Sequence, residues 1–138
     1  MEPEPVHILL VEDNAGDALL MQQVLTSSPV ALKLHIARDG EQALQMLADP
    51  NLKPSLIILD LNLPRVTGLE LLQRYDAKSI PVVVFSSSSS VTDKQFAYAR
   101  GASEYVEKPT ELQAFTDAVC GIINKWVGPK ESGAAASS

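Results

Sequence analysis

The 138-residue chain predicts an open, doubly wound α/β sheet of five parallel strands with five helices on its two faces, and of the two common strand orders for such sheets 2-1-3-4-5 is the one expected. Two observations lead there. Short apolar runs alternate with helical stretches of about ten residues through five cycles. Consecutive strands joined by such helices are parallel and use right-handed crossovers, which places helices on both faces. The length suits one ordinary domain, and 46% hydrophobic with 20% charged residues is a globular composition. A chain of this size buries about two-thirds of its unfolded surface, enough for a sizeable core.

The first run, VHILLV at 6–11, lies between prolines and a polar Glu-Asp-Asn stretch and reads as a buried strand. Over 16–25, Ala18, Leu19, Met21, Val24 and Leu25 largely follow helical spacing until Ser27-Ser28-Pro29 interrupts it. The second strand is 31–37, and Ala43, Leu44, Leu47 and Ala48 form a short helical face after Asp39-Gly40. SLIIL at 55–59 is the third strand and ends on Asp60; a helix over 69–75 follows Pro64 and Gly68. The fourth strand, 81–85, leads into a helix over 92–100 that Gly101 stops as a C-terminal cap would. After a fifth strand at 103–107, the last helix opens near Thr110 and sets Leu112, Phe115, Val119, Ile122, Ile123 and Trp126 on one face.

Several side chains carry plain packing expectations. Phe96 and Tyr98 are two apart and cannot share a helix face, so one of them should be partly exposed. Cys120 sits beside the apolar stripe of the last helix and reads as a buried, inert thiol. His7 and His35 lie in strands without metal-ligand spacing and read as packing residues, while Trp126 closes the core. The last stretch lacks periodicity and bulky residues, so the domain should occupy 1–128, with 129–138 a flexible tail.

Acids outnumber bases 17 to 11, and the formal charge of -6 repels a phosphate backbone, which argues against direct nucleic-acid binding. A single cysteine cannot form an internal disulfide, and no run approaches the roughly 20 apolar residues of a membrane span. The first residues lack the basic and apolar regions of a signal peptide. A cytoplasmic protein without a membrane partner is the expectation.

In a sheet of this order the crevice lies at the C-terminal ends of strands one and three. The strand ends bring Glu12 and Asp13, Asp60, Ser86 and Lys108 to that rim. Three carboxylates together repel one another unless a divalent cation or shifted protonation offsets the charge, and oxygen ligands with retained water suit Mg2+ best. Glu12 and Asp13 are adjacent and would point oppositely in a strict strand, so both serve the site only where the chain leaves strand geometry. A carboxylate so placed can accept a phosphoryl group, and Asp60 is the choice of acceptor. Lys108 supplies a compact positive charge, Ser86 a hydroxyl donor, and Asn62 a backbone carbonyl for the metal.

VEDN at 11–14, LDLNLPRVTG at 59–68 and YVEKP at 105–109 resemble a response-regulator receiver domain over about residues 6–127. NLPR and VEDNAGD are similar to the stand-alone receivers that partner phytochrome-type histidine kinases. The resemblance implies the flavodoxin-like receiver fold and a role as phospho-acceptor in two-component signalling. A sensor histidine kinase would donate its phosphoryl group to Asp60, with Asp13, Asp60 and the Asn62 carbonyl on Mg2+ and Glu12 assisting through water. The receiver would catalyse this transfer itself and lose the group by slow autodephosphorylation. Ser86 would then move toward the phosphoryl group and Tyr105 turn inward, switching the surface of helix four, strand five and helix five. That surface would bind an unidentified downstream protein or a second copy of the chain. Thr67, Thr110 and Ser87 depart from common receiver residues and put the phosphoryl lifetime in doubt.

Three rivals are weaker. A haloacid-dehalogenase-type phosphatase needs an Asp-x-Asp pair, but here the pair is Asp60-x-Asn62, and an amide cannot act as general acid-base. A flavin carrier needs a small-residue phosphate loop after strand one, where this chain has Glu12-Asp13-Asn14. A receiver-like module that is never phosphorylated would lack an acceptor, acid or lysine, and none is missing. Ser87 to Ser90 read as a flexible loop rather than as ligands.

Overall fold

The computed structural model describes residues 5–75 and 80–127. In chain order the elements are β1 (Val6–Val11), α1 (Ala15–Thr26), β2 (Leu32–Ala37), α2 (Gly40–Ala48), β3 (Leu56–Leu59), α3 (Gly68–Arg74), β4 (Val82–Ser86), α4 (Val91–Ala99), β5 (Glu104–Glu107) and α5 (Leu112–Trp126). All strand pairs are parallel, as the alternation of strands and helices predicts, and the sheet order is β2-β1-β3-β4-β5, the expected one of the two common arrangements for such sheets. The proposed tail, 129–138, lies outside the described residues.

The sheet separates two cores. Leu9, Val11, Ile57, Leu59 and Val84 pack with Ala43, Leu71, Leu72 and Ala97, so α2, α3 and α4 cover that face. Ile8, Leu10, Ile58, Val83 and Phe85 pack with Met21, Leu25, Phe115, Val119 and Ile122, so α1 and α5 cover the other. Strands buried on both faces need uninterrupted apolar runs, and β3 and β4 supply them.

Helix ends follow local chemistry. Asn14 and Asp39 cap α1 and α2 through their side chains. Thr67, at one of the positions that depart from common receivers, caps α3 in a reciprocal box with Glu70. Gly101 ends α4 at φ 104°, with its N–H and that of Ala102 donating to the carbonyls of Tyr98 and Ala97.

Five side chains depart from their expected places. Cys120 is exposed rather than buried: one step past Val119 it leaves the stripe and meets only a groove against the end of α1, beside Gln23 and Val24. Leu112 is exposed because it opens α5, a full turn before Phe115 reaches the sheet. Leu19 lies outside the buried α1 stripe of Ala18, Met21 and Leu25. Phe96 and Tyr98 are both about half exposed, because buried Ala97 between them faces the sheet and each ring flanks it. Trp126 is half-buried against the second core and donates from Nε1 to Glu104, so it ties α5 to β5 as well as packing.

Candidate functional site

β1 and β3 run in register, Val11 beside Leu59, so the next residues, Glu12 and Asp60, leave the sheet side by side. The Asp60 N–H still donates to the Val11 carbonyl at 3.0 Å, and that of Glu12 to Ala37 at 3.0 Å, which fixes both backbones at the sheet's C-terminal edge. Lys108 follows β5, its N–H held by the Ser86 carbonyl at 2.7 Å. By strand alternation Glu12, Asp60 and Lys108 lean toward the α1 and α5 face. Ser86 and Tyr105 lean toward the other.

On the first side the Lys108 Nζ lies 2.8 Å from Glu12 Oε1, 2.9 Å from Asp17 Oδ2 and 3.1 Å from Asp60 Oδ2. An ammonium has three N–H donors, and three carboxylates take them. Lys108, Glu12 and Asp60 are all buried. Burial pushes the Glu12 carboxyl up to about 7; the Lys108 hydrogen bond opposes this and the Asp60 charge reinforces it. For Lys108, burial alone would lower the pKa, but the hydrogen bonds to Glu12 and Asp17 and the fields of Glu12 and Asp60 together raise it above the ordinary lysine value. The cluster therefore carries more negative charge than its single cation neutralises. That excess, presented by oxygen donors alone, fits a hard divalent ion.

The expected ligands are brought together only in part. Glu12 and Asp60 share Lys108, whereas Asp13 is exposed at the rim, its backbone carbonyl accepting from Arg38. Among the described residues no three acidic, histidine or cysteine side chains converge on one point as metal ligands. Asn62 hangs from Asp60 through its own N–H, which donates to Asp60 Oδ1 at 3.2 Å. Gly68 is what lets α3 start so close: a Cβ there would sit 2.6 Å from the Asp60 carbonyl oxygen.

On the second side Ser86 is fully buried, and its Oγ accepts from the Ser88 N–H. The serine run is an ordered ladder rather than a plain loop. Ser88 Oγ donates to Asp93 and accepts from Ser90, and Ser90 caps α4 by accepting from the Asp93 N–H. Tyr105, half-buried, donates its hydroxyl to the Ser88 carbonyl at 2.8 Å, and its N–H donates to the Tyr98 hydroxyl at 3.0 Å. Hydrogen bonds thus connect the Ser86 hydroxyl to the exposed α4 surface.

Sequence reasoning missed Asp17 and the Ser88-to-Tyr98 chain. Asp17 reads as an ordinary acid in a first helical turn, and only tertiary placement puts that turn over the end of β5. No sequence signal marks it. Ser88 is indistinguishable by composition from its four serine neighbours.

Residues 8–120 match the response regulator receiver domain. This chain belongs to that family. The receiver is 38% identical to the response regulator Rcp1 of Synechocystis, over 89% of this chain and 90% of that one. A solved Mn2+-bound form of Rcp1 superposes with a TM-score of 0.83 at 36% identity, covering 89% and 95% of the two chains. The phosphorylated cyanobacterial phytochrome response regulator RcpA gives 0.85 at 34% identity, covering 90% and 95%. Among the described residues of the receiver, no helix is long and apolar enough to cross a membrane.

Proposed function

We propose that this receiver, a single domain over 1–128, accepts a phosphoryl group on Asp60 from the phosphohistidine of a sensor histidine kinase. The observation that carries the reading is the Lys108 ammonium 3.1 Å from buried Asp60 Oδ2 at the crevice. An Asp60 oxygen attacks phosphorus, a P–O bond forms as the donor's P–N bond breaks, and the imidazole leaves. Lys108 Nζ and the Ser86 hydroxyl approach the phosphoryl oxygens from opposite sides of the sheet edge, and neither supplies a proton to the acceptor. Glu12, Asp13, Asp60 and the Asn62 carbonyl would hold Mg2+, with Glu12 acting through water. That ion would offset carboxylate repulsion and the charge of the transferring group. The Mn2+-bound Rcp1 and phosphorylated RcpA support this assignment by similarity.

Movement of Ser86 toward the phosphoryl group pulls on Ser88, frees the Tyr105 hydroxyl and lets that ring turn inward. The α4, β5 and α5 surface, where Phe96 and Tyr98 are exposed, then changes its affinity for a protein partner. That partner is a downstream protein or a second copy of the chain. The likeness to a phytochrome response regulator favours a phytochrome-type kinase as donor, in the cytoplasm. The protein acts as an acceptor that catalyses its own transfer and slow autodephosphorylation, not as a turnover enzyme.

Incubation with Mg2+ and acetyl phosphate should add one base-labile phosphoryl group by intact mass, and Asp60→Asn should abolish the increase. An unchanged mass gain in that variant would overturn the acceptor assignment. Sedimentation with and without beryllofluoride tests the dimer, which an invariant monomer mass would remove.

A further inference from the structure

We infer that Asp17 is a positioning residue that holds Lys108 in the unmodified protein and surrenders it to the phosphoryl group. The inference rests on the acceptor reading above and adds a competitor for its lysine. All three Lys108 donors face carboxylates at 2.8 to 3.1 Å, so a phosphoryl oxygen on Asp60 can gain an ammonium hydrogen bond only when one existing bond is given up. The three partners differ in what release costs. The Glu12 side chain is 1% exposed and closed off from bulk solvent, whereas that of Asp17 is 29% exposed. A buried carboxylate stripped of its cation pays a large desolvation cost, and a solvated one a small cost. Modified Asp60 keeps one oxygen as an acyl carbonyl, still an acceptor within reach of Lys108, so its bond to the ammonium need not be given up. Asp17 is therefore the tether that lets go.

The position of Asp17 is itself fixed. Its N–H donates to Asn14 Oδ1 at 2.9 Å, which anchors the first turn of α1, and the side chain reaches across to the end of β5 from there. Without that grip Lys108 would rest on Glu12 and Asp60 alone, with one donor available for an incoming anion. The arrangement sets a threshold: the phosphoryl group must outcompete Asp17 before the lysine responds.

Calorimetric titration with beryllofluoride in saturating Mg2+ tests this. Asp17→Asn should tighten binding about three- to tenfold, the scale of one charge-assisted hydrogen bond no longer contested, and Asp17→Glu should return it toward wild type. Mg2+ affinity, measured separately, should change by less than about threefold. The gain should vanish when Asp17→Asn is combined with Lys108→Ala. Unchanged or weaker beryllofluoride binding in Asp17→Asn overturns the inference. So does an equal gain in the Lys108→Ala background, which would mean direct repulsion of the anion, and so does a large loss of Mg2+ affinity, which would make Asp17 a metal residue. Wild-type protein that takes up neither beryllofluoride nor a phosphoryl group would instead remove the acceptor reading itself.

Discussion

The two sides of the sheet's C-terminal edge are built from different forces. Toward α1 and α5, one buried ammonium faces three carboxylates, and charge decides where each side chain rests. Toward α4, Ser86, Ser88, Tyr105 and Tyr98 are joined by neutral hydrogen bonds, two of which use the backbone of Ser88. A charged cluster has few low-energy arrangements and holds its geometry until a new charge arrives. A neutral chain involves net energies of about 1 kcal/mol per link and rearranges readily. Under the function proposed above, the first side would carry binding and chemistry, and the second would relay the outcome.

The largest effect should come from removing the cation. Lys108→Ala leaves Glu12 and Asp60 buried and uncompensated, at a cost of about 3–5 kcal/mol in urea unfolding without Mg2+, and added Mg2+ should recover part of it. Phosphorylation should survive better than its coupling to partner binding. A variant with unaltered stability would show that water already neutralises the carboxylates, and the contrast between the two sides would disappear.

Next in size is Gly68→Ala. The new Cβ meets the Asp60 carbonyl oxygen and the Leu61 Cα at 2.6 Å, backbone atoms that cannot swing aside. A loss of about 2 kcal/mol in unfolding free energy, with slower phosphorylation by acetyl phosphate, is expected from the strain. Normal phosphorylation in a destabilised variant would mean that the charged side keeps its geometry even when its backbone support shifts.

The difference between the two sides also explains what was legible in the sequence. Asp60 and Lys108 stand out because an acid and a lysine closing apolar strands are chemically unusual there, and strand order alone carries them to one rim. β1 is legible to the residue, since VHILLV ends where the polar residues begin. The ends of α4 and α5 shift by one or two residues from expectation because caps, not apolar spacing, set them. The exposure of Cys120 and Leu112 follows from where neighbouring elements stop, which no local pattern records. The neutral relay was illegible for a related reason: a backbone carbonyl accepting from a distant tyrosine leaves no trace in residue type.

A smaller effect tests the relay. Tyr105→Phe keeps the ring and removes the hydroxyl bond to the Ser88 carbonyl, so it should cost about 1 kcal/mol of stability and leave acceptor chemistry near wild type. Its reading is the partner surface: the fluorescence or partner-binding response to beryllofluoride should shrink relative to the extent of phosphorylation. An intact response would place the relay elsewhere than in this hydroxyl.

The smallest effect lies at the other end of β1, where the contrast between charged and neutral pairing recurs. His7 Nδ1 and His35 Nε2 are 2.9 Å apart, with ring centroids at 5.2 Å and planes within 16°, so the rings meet edge to edge through one N–H···N bond. His35 has its pKa lowered by burial first, then by the charges of His7 and Lys33. A folded-state value below the unfolded one contributes stability that is present above 6.5 and is lost as the pH falls through the folded value, because the unfolded chain takes up the proton first. Urea midpoints of wild type and His35→Gln should therefore differ most near about pH 7.5 and converge toward about pH 5. A gap that stays constant across that range would show that the pair contributes packing alone, and that proton-linked behaviour belongs only to the carboxylate end of the strand.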